Sequence, residues 1–446
     1  MPALKLAELI GALSHALDLT EGQPEGHGLR ACWIGMHIGE AIGLDADTRW
    51  SLYYTLLLKD VGCSSNAARI CELYLADDRA FKHDFKLVGT RPLDLLGFVA
   101  SQTGAHAGWR RRLAALVNIA RNGDAIAQEM IQTRCSRGAD IARRLRFPES
   151  VAQGIHALDE HFDGSGRPDG LSGDAIPLAA RIALLAQVVD VFQFAHGADA
   201  ARAEAHARAG SWFDPRLVEA FETVARRPAF WQELQGDGLE AAVNALEPPG
   251  RSMPLDDDYL DDIAAAFGAV VDAKSPFTAG HSARVGKVTD ALARELGIGD
   301  ARRRWLRRAA LLHDVGKLGV SNTVLDKPGR LDAREWEAVK RHATYTGQIL
   351  GRISAFDELA RVAAAHHEKL DGTGYPLGLS ARDIALETRI ITTADIFDAI
   401  TAERPYHGPT PVGRALDIMR GHVGTALDPR CFEALEAVVA TAALPA

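Results

Sequence analysis

His281, the pair His313-Asp314, His342, the pair His366-His367 and Asp395 gather imidazoles and carboxylates in one part of a 446-residue chain. Neutral imidazole nitrogen and ionised carboxylate oxygen are good ligands for divalent iron, manganese, zinc or nickel, and a carboxylate can offer one oxygen to each of two ions. A domain has little other reason to assemble so many groups that are costly to bury unpaired. Asp314 is the candidate bridge. Two ions about 3.5–4 Å apart could share a water-derived hydroxide, a strong nucleophile near neutral pH, and hydrolysis of a phosphate ester is the reaction this best serves.

His313 closes an apolar helix just before Gly316, and Lys317 then brings an ammonium that can stabilise charge growing on phosphate oxygens in the transition state. The run DGTGYP, residues 371–376, cannot continue a helix and is expected as an exposed loop beside the metals. There Tyr375 could stack on a base and Gly374 lets backbone amides approach phosphate. Arg341, Lys340, Lys327 and Arg404 add local positive charge. Spacing identifies no proton donor for the leaving oxygen, Glu368 included. His106, His407 and His422 read as ordinary satisfied or surface histidines.

Apolar residues recur at three- and four-residue spacing over 4–17, 30–42, 257–271, 282–296, 302–313, 334–350 and 356–368, which predicts helices, while strand-like alternation is scarce. LEPPGRSMPLDDD, residues 246–258, interrupts any helix and marks a boundary. Residues 1–248 and 259–446 are therefore expected as two helical domains joined by a linker at 249–258.

The halves repeat one another. His27 and Arg30 lie over His281 and Arg284, and Lys59-Asp60 over His313-Asp314. LDEHFDGSGRPDGL covers HHEKLDGTGYPLGL, and GSWFDPR echoes GTALDPR. The first half carries an insertion, broadly 64–129, that includes LDLLGFV and GWRRRLAAL.

ALLHDVGKLGV, KRHATYTG, AAHHEKLDGTGYPLGL and TRIITTADIFDAITAERPY resemble the HD-GYP family of HD metal phosphohydrolases over residues 260–440. The resemblance implies an all-α architecture of tandem HD-type helical bundles, the C-terminal one HD-GYP, with two divalent metal ions, iron or manganese. It implies linearisation of cyclic di-GMP to pGpG, and in some members on to GMP. His281, His313, Asp314 and Asp395 match the ligands of the first metal, and Asp314, His342, His366 and His367 those of the second. Lys317 matches the phosphate-contacting lysine and Gly374-Tyr375-Pro376 the signature loop, which in some relatives contacts diguanylate cyclase domains. Relatives with a third metal carry a glutamate where this chain has Phe277, so two metals are expected. Two other readings stand beside this one: hydrolysis of another cyclic dinucleotide such as 3′,3′-cyclic GMP-AMP, and a receptor or scaffold without turnover.

The first half departs from the pattern. His313 becomes Lys59 and Lys317 becomes Cys63; His342 falls near Thr133, His366 and His367 on Leu158 and Asp159, Asp395 on Gln187 and Tyr375 on Arg167. A lysine ammonium has no lone pair for a metal. Residues 1–248 are expected as a degenerate copy kept for packing, ligand sensing or dimerisation. The net charge of −9 argues against polymeric nucleic acid, five scattered cysteines suit free thiols in a reducing compartment, and no run of 18 apolar residues occurs. A cytoplasmic protein with no membrane partner is the expectation, with homodimerisation open.

Overall fold

A computed structural model describes residues 5–89, 92–105, 107–249, 255–403 and 408–441. Among these every regular element is helical, as expected, and β-type pairing is confined to the isolated bridges Ala209–Phe213, Asp371–Ser380 and Val423–Leu427. The chain divides into two units, Lys5–Asp256 and Asp257 onward.

Fourteen helices carry the repeat. In the first unit they are α1 (Leu6–Glu21), α2 (His27–Ala41), α3 (Ala46–Leu58), α4 (Trp109–Arg144), α5 (Glu149–His156), α6 (Leu178–His196) and α7 (Pro215–Ala225). In the second they are α8 (Asp257–Asp272), α9 (His281–Glu295), α10 (Asp300–Leu312), α11 (Ala333–Leu350), α12 (Asp357–Ala364), α13 (Leu386–Thr401) and α14 (Pro429–Ala440). Packing repeats with the order: α2 lies against α3, α6 and α7, and α9 against α10, α13 and α14. Short helices at Ala67–Tyr74, Asp78–Phe85 and Pro92–Gln102, together with the front of α4, occupy the inserted stretch of the first unit.

Local chemistry explains where the helices begin. The Asp45 carboxylate accepts from the Thr48 amide at the start of α3, and Asp332 with Glu335 forms a reciprocal capping box on α11. The echo GSWFDPR/GTALDPR is a shared helix start. Asp214 and Asp428 cap α7 and α14 just ahead of a proline, and each also accepts from an arginine of the preceding long helix, Arg181 at 2.9 Å and Arg389 at 2.7 Å.

Helix α6 is long and apolar enough to cross a bilayer by length and composition. Two thirds of it is buried, however, and its Asp190 bonds to His27 and Arg30 of α2, the pattern of a core helix. Each fully buried Ile, Leu or Val on it contributes roughly 1.5–3 kcal/mol.

One expected helix is shorter than the periodicity implied. α12 stops at Ala364 rather than reaching Glu368, because the chain beyond it is claimed by the following loop. The Tyr375 amide donates to the His367 carbonyl, and the Glu368 carboxylate accepts from the amides of Leu377, Gly378 and Leu379. His366 and His367 thus sit past a helix end. His313 likewise caps α10 at its C-terminus, so neither adjacent pair has to share a helix face.

Candidate metal centre

Four elements aim imidazoles at Asp314. His281 opens α9, His313 closes α10, His342 lies within α11, and His366 follows α12. In three of them Nδ1–H donates to a backbone carbonyl three residues back: His313 to Ala310 at 2.7 Å, His342 to Val339 at 2.6 Å and His366 to Ala363 at 2.6 Å. His281 donates instead to the Asp398 carboxylate at 2.7 Å, which Arg284 holds from the other side at 2.6 Å. Each Nδ1 is therefore spent as a donor, which turns each Nε2 toward the centre.

Those nitrogens converge on the two oxygens of one carboxylate. Oδ2 of Asp314 lies 3.3 Å from Nε2 of both His281 and His313, whereas Oδ1 lies 3.4 Å from Nε2 of His342 and 3.7 Å from that of His366. Asp395 Oδ1 joins the first group, 3.3 Å from His281 Nε2 and 3.8 Å from His313 Nε2. His367 joins the second, its ring 4.0 Å from His366 and 4.9 Å from His342. Ligand atoms bonded at about 2.1 Å to one ion stand roughly 3.0–3.4 Å from each other, close to the spacings within each group.

The donors also fit a cation electrostatically. His281 Nε2, His313 Nε2 and Asp314 Oδ1 are buried without a hydrogen-bond partner, a costly arrangement that divalent ions would relieve. Burial depresses His342 to about 4 and His367 to about 3, and holds His366 low as well, so these rings are neutral near pH 7. Burial alone would raise Asp314 and Asp395, but interaction with the adjacent His313 and Lys317 holds the first, and hydrogen bonds from His281 and His313 the second, well below the usual carboxylate range.

Glycine permits the close packing around them. A Cβ on Gly316 would stand 2.0 Å from the His342 carbonyl oxygen, so only glycine lets the segment after Asp314 press on the α11 backbone. The Gly316 amide donates to Thr346 Oγ1, whose hydroxyl donates to the His313 carbonyl, both at 3.0 Å. Close approach is why Gly316 is there. A Cβ on Gly374 would lie 2.3 Å from the Lys369 amide nitrogen.

A cavity of about 380 Å³ opens beside His366 and His367, with Trp336, Lys340, Gly374 and Tyr375 in its wall. Of the residues expected to meet substrate, Gly374 and Tyr375 line it, the Tyr375 ring 4.8 Å from that of His367. Lys317 pairs with Asp314 instead of lining the cavity. Arg341 is exposed on α11 and does not line it either; one helical step turns Lys340 inward in its place. Lys327 is taken up by Glu335, and Arg404, His106 and His407 fall outside the described residues. Asp398, Thr346 and Trp336 escaped the sequence reading. Asp398 carried a signal, because its counterpart in the first unit, Asp190, is also an aspartate.

The first unit has the same outer support and a different centre. His27 Nδ1–H donates to Asp190 at 2.6 Å and Arg30 holds the same carboxylate at 2.6 Å, the arrangement of His281, Asp398 and Arg284. Yet the Lys59 ammonium lies 3.0 Å from His27 Nε2 and pairs with Asp60. The counterpart of His342 is Arg134, a correction to the expected Thr133. A Cβ on Gly62 would meet the Arg134 carbonyl and the Gly138 amide just as one on Gly316 meets His342 and Thr346. Aligning Gly138 with Gly347 in sequence shifts the register by one. Arg134 donates to Asp159, the counterpart of His367, at 2.8 Å. Glu21, Asp60 and Cys63 also cluster here, but Lys82 and Lys86 pair with Glu21, and burial raises the Cys63 thiol far above its ordinary range.

A family model described as HD domain matches residues 114–217 and 267–431, more than half of the chain. The chain belongs to the HD domain family. It is 57% identical over 431 residues to the 3′3′-cGAMP-specific phosphodiesterase 3 of Vibrio cholerae, spanning 97% of this chain and 94% of that one. The crystal structure of a cyclic GMP-AMP specific phosphodiesterase of V. cholerae superposes with a TM-score of 0.68 at 51% identity, covering 98% of both chains. A further similar protein is the cyclic di-GMP phosphodiesterase response regulator RpfG of Xanthomonas campestris pv. campestris, 38% identical over 49% of this chain and 55% of its own. The helical HD domain architecture of both units accords with these similarities.

Proposed function

We propose that the second unit hydrolyses a phosphodiester bond of a cyclic dinucleotide with two divalent cations, and that 3′3′-cGAMP is the preferred substrate. The observation that carries the hydrolytic reading is Asp314 itself: its two oxygens face two separate sets of nitrogen and oxygen donors. His281, His313, Asp395 and Asp314 would hold one ion and His342, His366, His367 and Asp314 the other, a donor set suited to iron or manganese. When bound, such ions supply an activated water and draw charge from the phosphate.

The protein's own groups do the rest. The Nδ1–H bonds fix each imidazole in the tautomer that faces inward, and Lys317 adds a positive charge beside Asp314. Tyr375 and Gly374 shape the cavity in which a nucleotide would lie. Glu368 is no candidate for proton donation, because three backbone amides already bind its carboxylate.

Similarity over nearly the whole chain to a protein named for 3′3′-cGAMP supports that substrate above the cyclic di-GMP expected from the motifs, since relatives named for cyclic di-GMP match about half of the chain or less. Metal ligands are common to both activities and do not discriminate. In the first unit, Lys59 and Arg134 stand in the cation positions, so we assign it no catalytic centre. Hydrolysis of 3′3′-cGAMP and cyclic di-GMP by manganese- or iron-loaded protein, measured side by side, tests the reading. A kcat/KM at least about tenfold higher for 3′3′-cGAMP is expected. Equal values would remove the preference, and no turnover of either would remove the activity.

A further inference from the structure

We propose that Trp336 binds substrate directly, forming with Tyr375 an aromatic corner that stacks one nucleobase and so selects base-bearing diesters. The inference rests on the cyclic dinucleotide reading above and assigns the base a place.

Trp336 lies near the start of α11 and remains 46% exposed, on a helix whose opposite side packs into the core. Its ring lines the cavity beside His366 and His367 and stands at 83° to Tyr375, centroids 6.1 Å apart. Two perpendicular rings make a corner in which a flat base can stack on one and present its edge to the other. Tyr375 is the fixed wall, since its amide is bonded to the His367 carbonyl and the next turn of chain to Glu368. Trp336 is the half-exposed one. Lys340, one helical turn further along the same face, adds a cation to the wall, and Thr392 and Ile396 of α13 contribute to the lining. The volume of about 380 Å³ suits one nucleotide unit of a larger ligand, with its phosphate toward the histidines.

The first unit provides an internal comparison. In the register fixed by Gly62 and Gly316, Trp336 corresponds to Gln128 and Tyr375 to Arg167. These two bond to each other at 3.2 Å; Gln128 also donates to the Pro168 carbonyl at 2.8 Å, and Arg167 pairs with Asp124. The corner is closed by polar side chains in the unit whose cation positions hold Lys59 and Arg134. Both aromatic rings occur together where the imidazole cluster is intact, and neither occurs where it is not. A role in packing alone would not tie them to the cluster.

The test uses the full-length, metal-loaded protein, with Trp336→Ala and Trp336→Phe. Since Trp336 is half exposed, its truncation leaves the core of α11 in place. For Trp336→Ala the KM for 3′3′-cGAMP should rise about tenfold, the loss of one base stack, with kcat within about twofold. Inhibition by inorganic phosphate, which has no base, should be unchanged, and Trp336→Phe should recover most of the KM. An unchanged KM, a fall confined to kcat, or a parallel weakening of phosphate inhibition would overturn the proposal. If the wild-type protein turns over neither 3′3′-cGAMP nor cyclic di-GMP, the functional reading itself fails; if it does and Trp336→Ala matches it, only the aromatic corner fails.

Discussion

The ammonium of Lys59 lies 3.0 Å from Nε2 of His27, a distance at which one cation, covalently tethered, replaces the ion that the matching histidine of the second unit would share with its neighbours. Asp60 completes the pair, and the carboxylate is held below its ordinary range despite burial because Lys59 and Lys86 surround it. Lys59→Ala would leave that carboxylate buried without its closest partner, which costs about 3–5 kcal/mol. A fall of several degrees in the melting temperature is expected, with turnover unchanged. Loss of kcat in the folded variant would show that the first unit takes part in the chemistry.

Asp314 has the opposite role. Asp314→Ala or His313→Ala should lower kcat by at least about a thousandfold and reduce the bound metal, because both donor groups are built around the one carboxylate. Elemental analysis of the wild-type chain should find about two ions, and the variants fewer. A turnover-competent His313→Ala protein would defeat the assignment.

Metal uptake should release a proton. Burial pushes His281 down, but Asp314, Asp395 and Asp398 more than offset it and hold the imidazolium to about 10 in the metal-free protein. Below that pH an incoming cation must displace the proton, so affinity should rise with pH toward about 10. His342, near 4, and His367, near 3, have nothing to release at pH 7. Calorimetry of manganese binding in two buffers of different ionisation enthalpy would give about one proton per chain; zero would contradict this balance.

Asp398 touches no proposed substrate, yet it sets the tautomer of His281. Asp398→Asn should weaken metal binding by about 10- to 100-fold and leave the helices intact. Its counterpart Asp190→Asn, by contrast, should leave metal content unchanged and lower stability, since His27 and Arg30 both lean on that carboxylate. Comparing metal content and melting temperature for the two variants separates the roles.

The helices and the imidazole cluster were legible because each leaves a local trace: apolar periodicity for α9, α10 and α11, and metal-suited residue types recurring through the second half. The register around Arg134 was not, because a single misplaced glycine, Gly138 for Gly347, is the better sequence match while the backbone contact at Gly62 decides otherwise. Arg341 and Lys340 show the same limit, since which of two adjacent cations faces the cavity depends on the rotation of α11 against its neighbours. Trp336 was hidden for another reason: an aromatic on a solvated helix face has no meaning until Tyr375, distant in sequence, is folded against it. The end of α12 was missed because long-range bonds to His367 and Glu368 outweigh the helical pattern there.

The carboxylate–histidine–arginine support shared by both units, Asp190 with His27 and Arg30 and Asp398 with His281 and Arg284, has a consequence for metal supply. In the second unit it braces a histidine of the candidate metal centre; in the first it braces a histidine whose Nε2 faces the tethered ammonium of Lys59, which no chelator can extract. On the proposed function, scarcity of divalent cations would therefore disarm one half of this polypeptide and leave the shape of the other untouched.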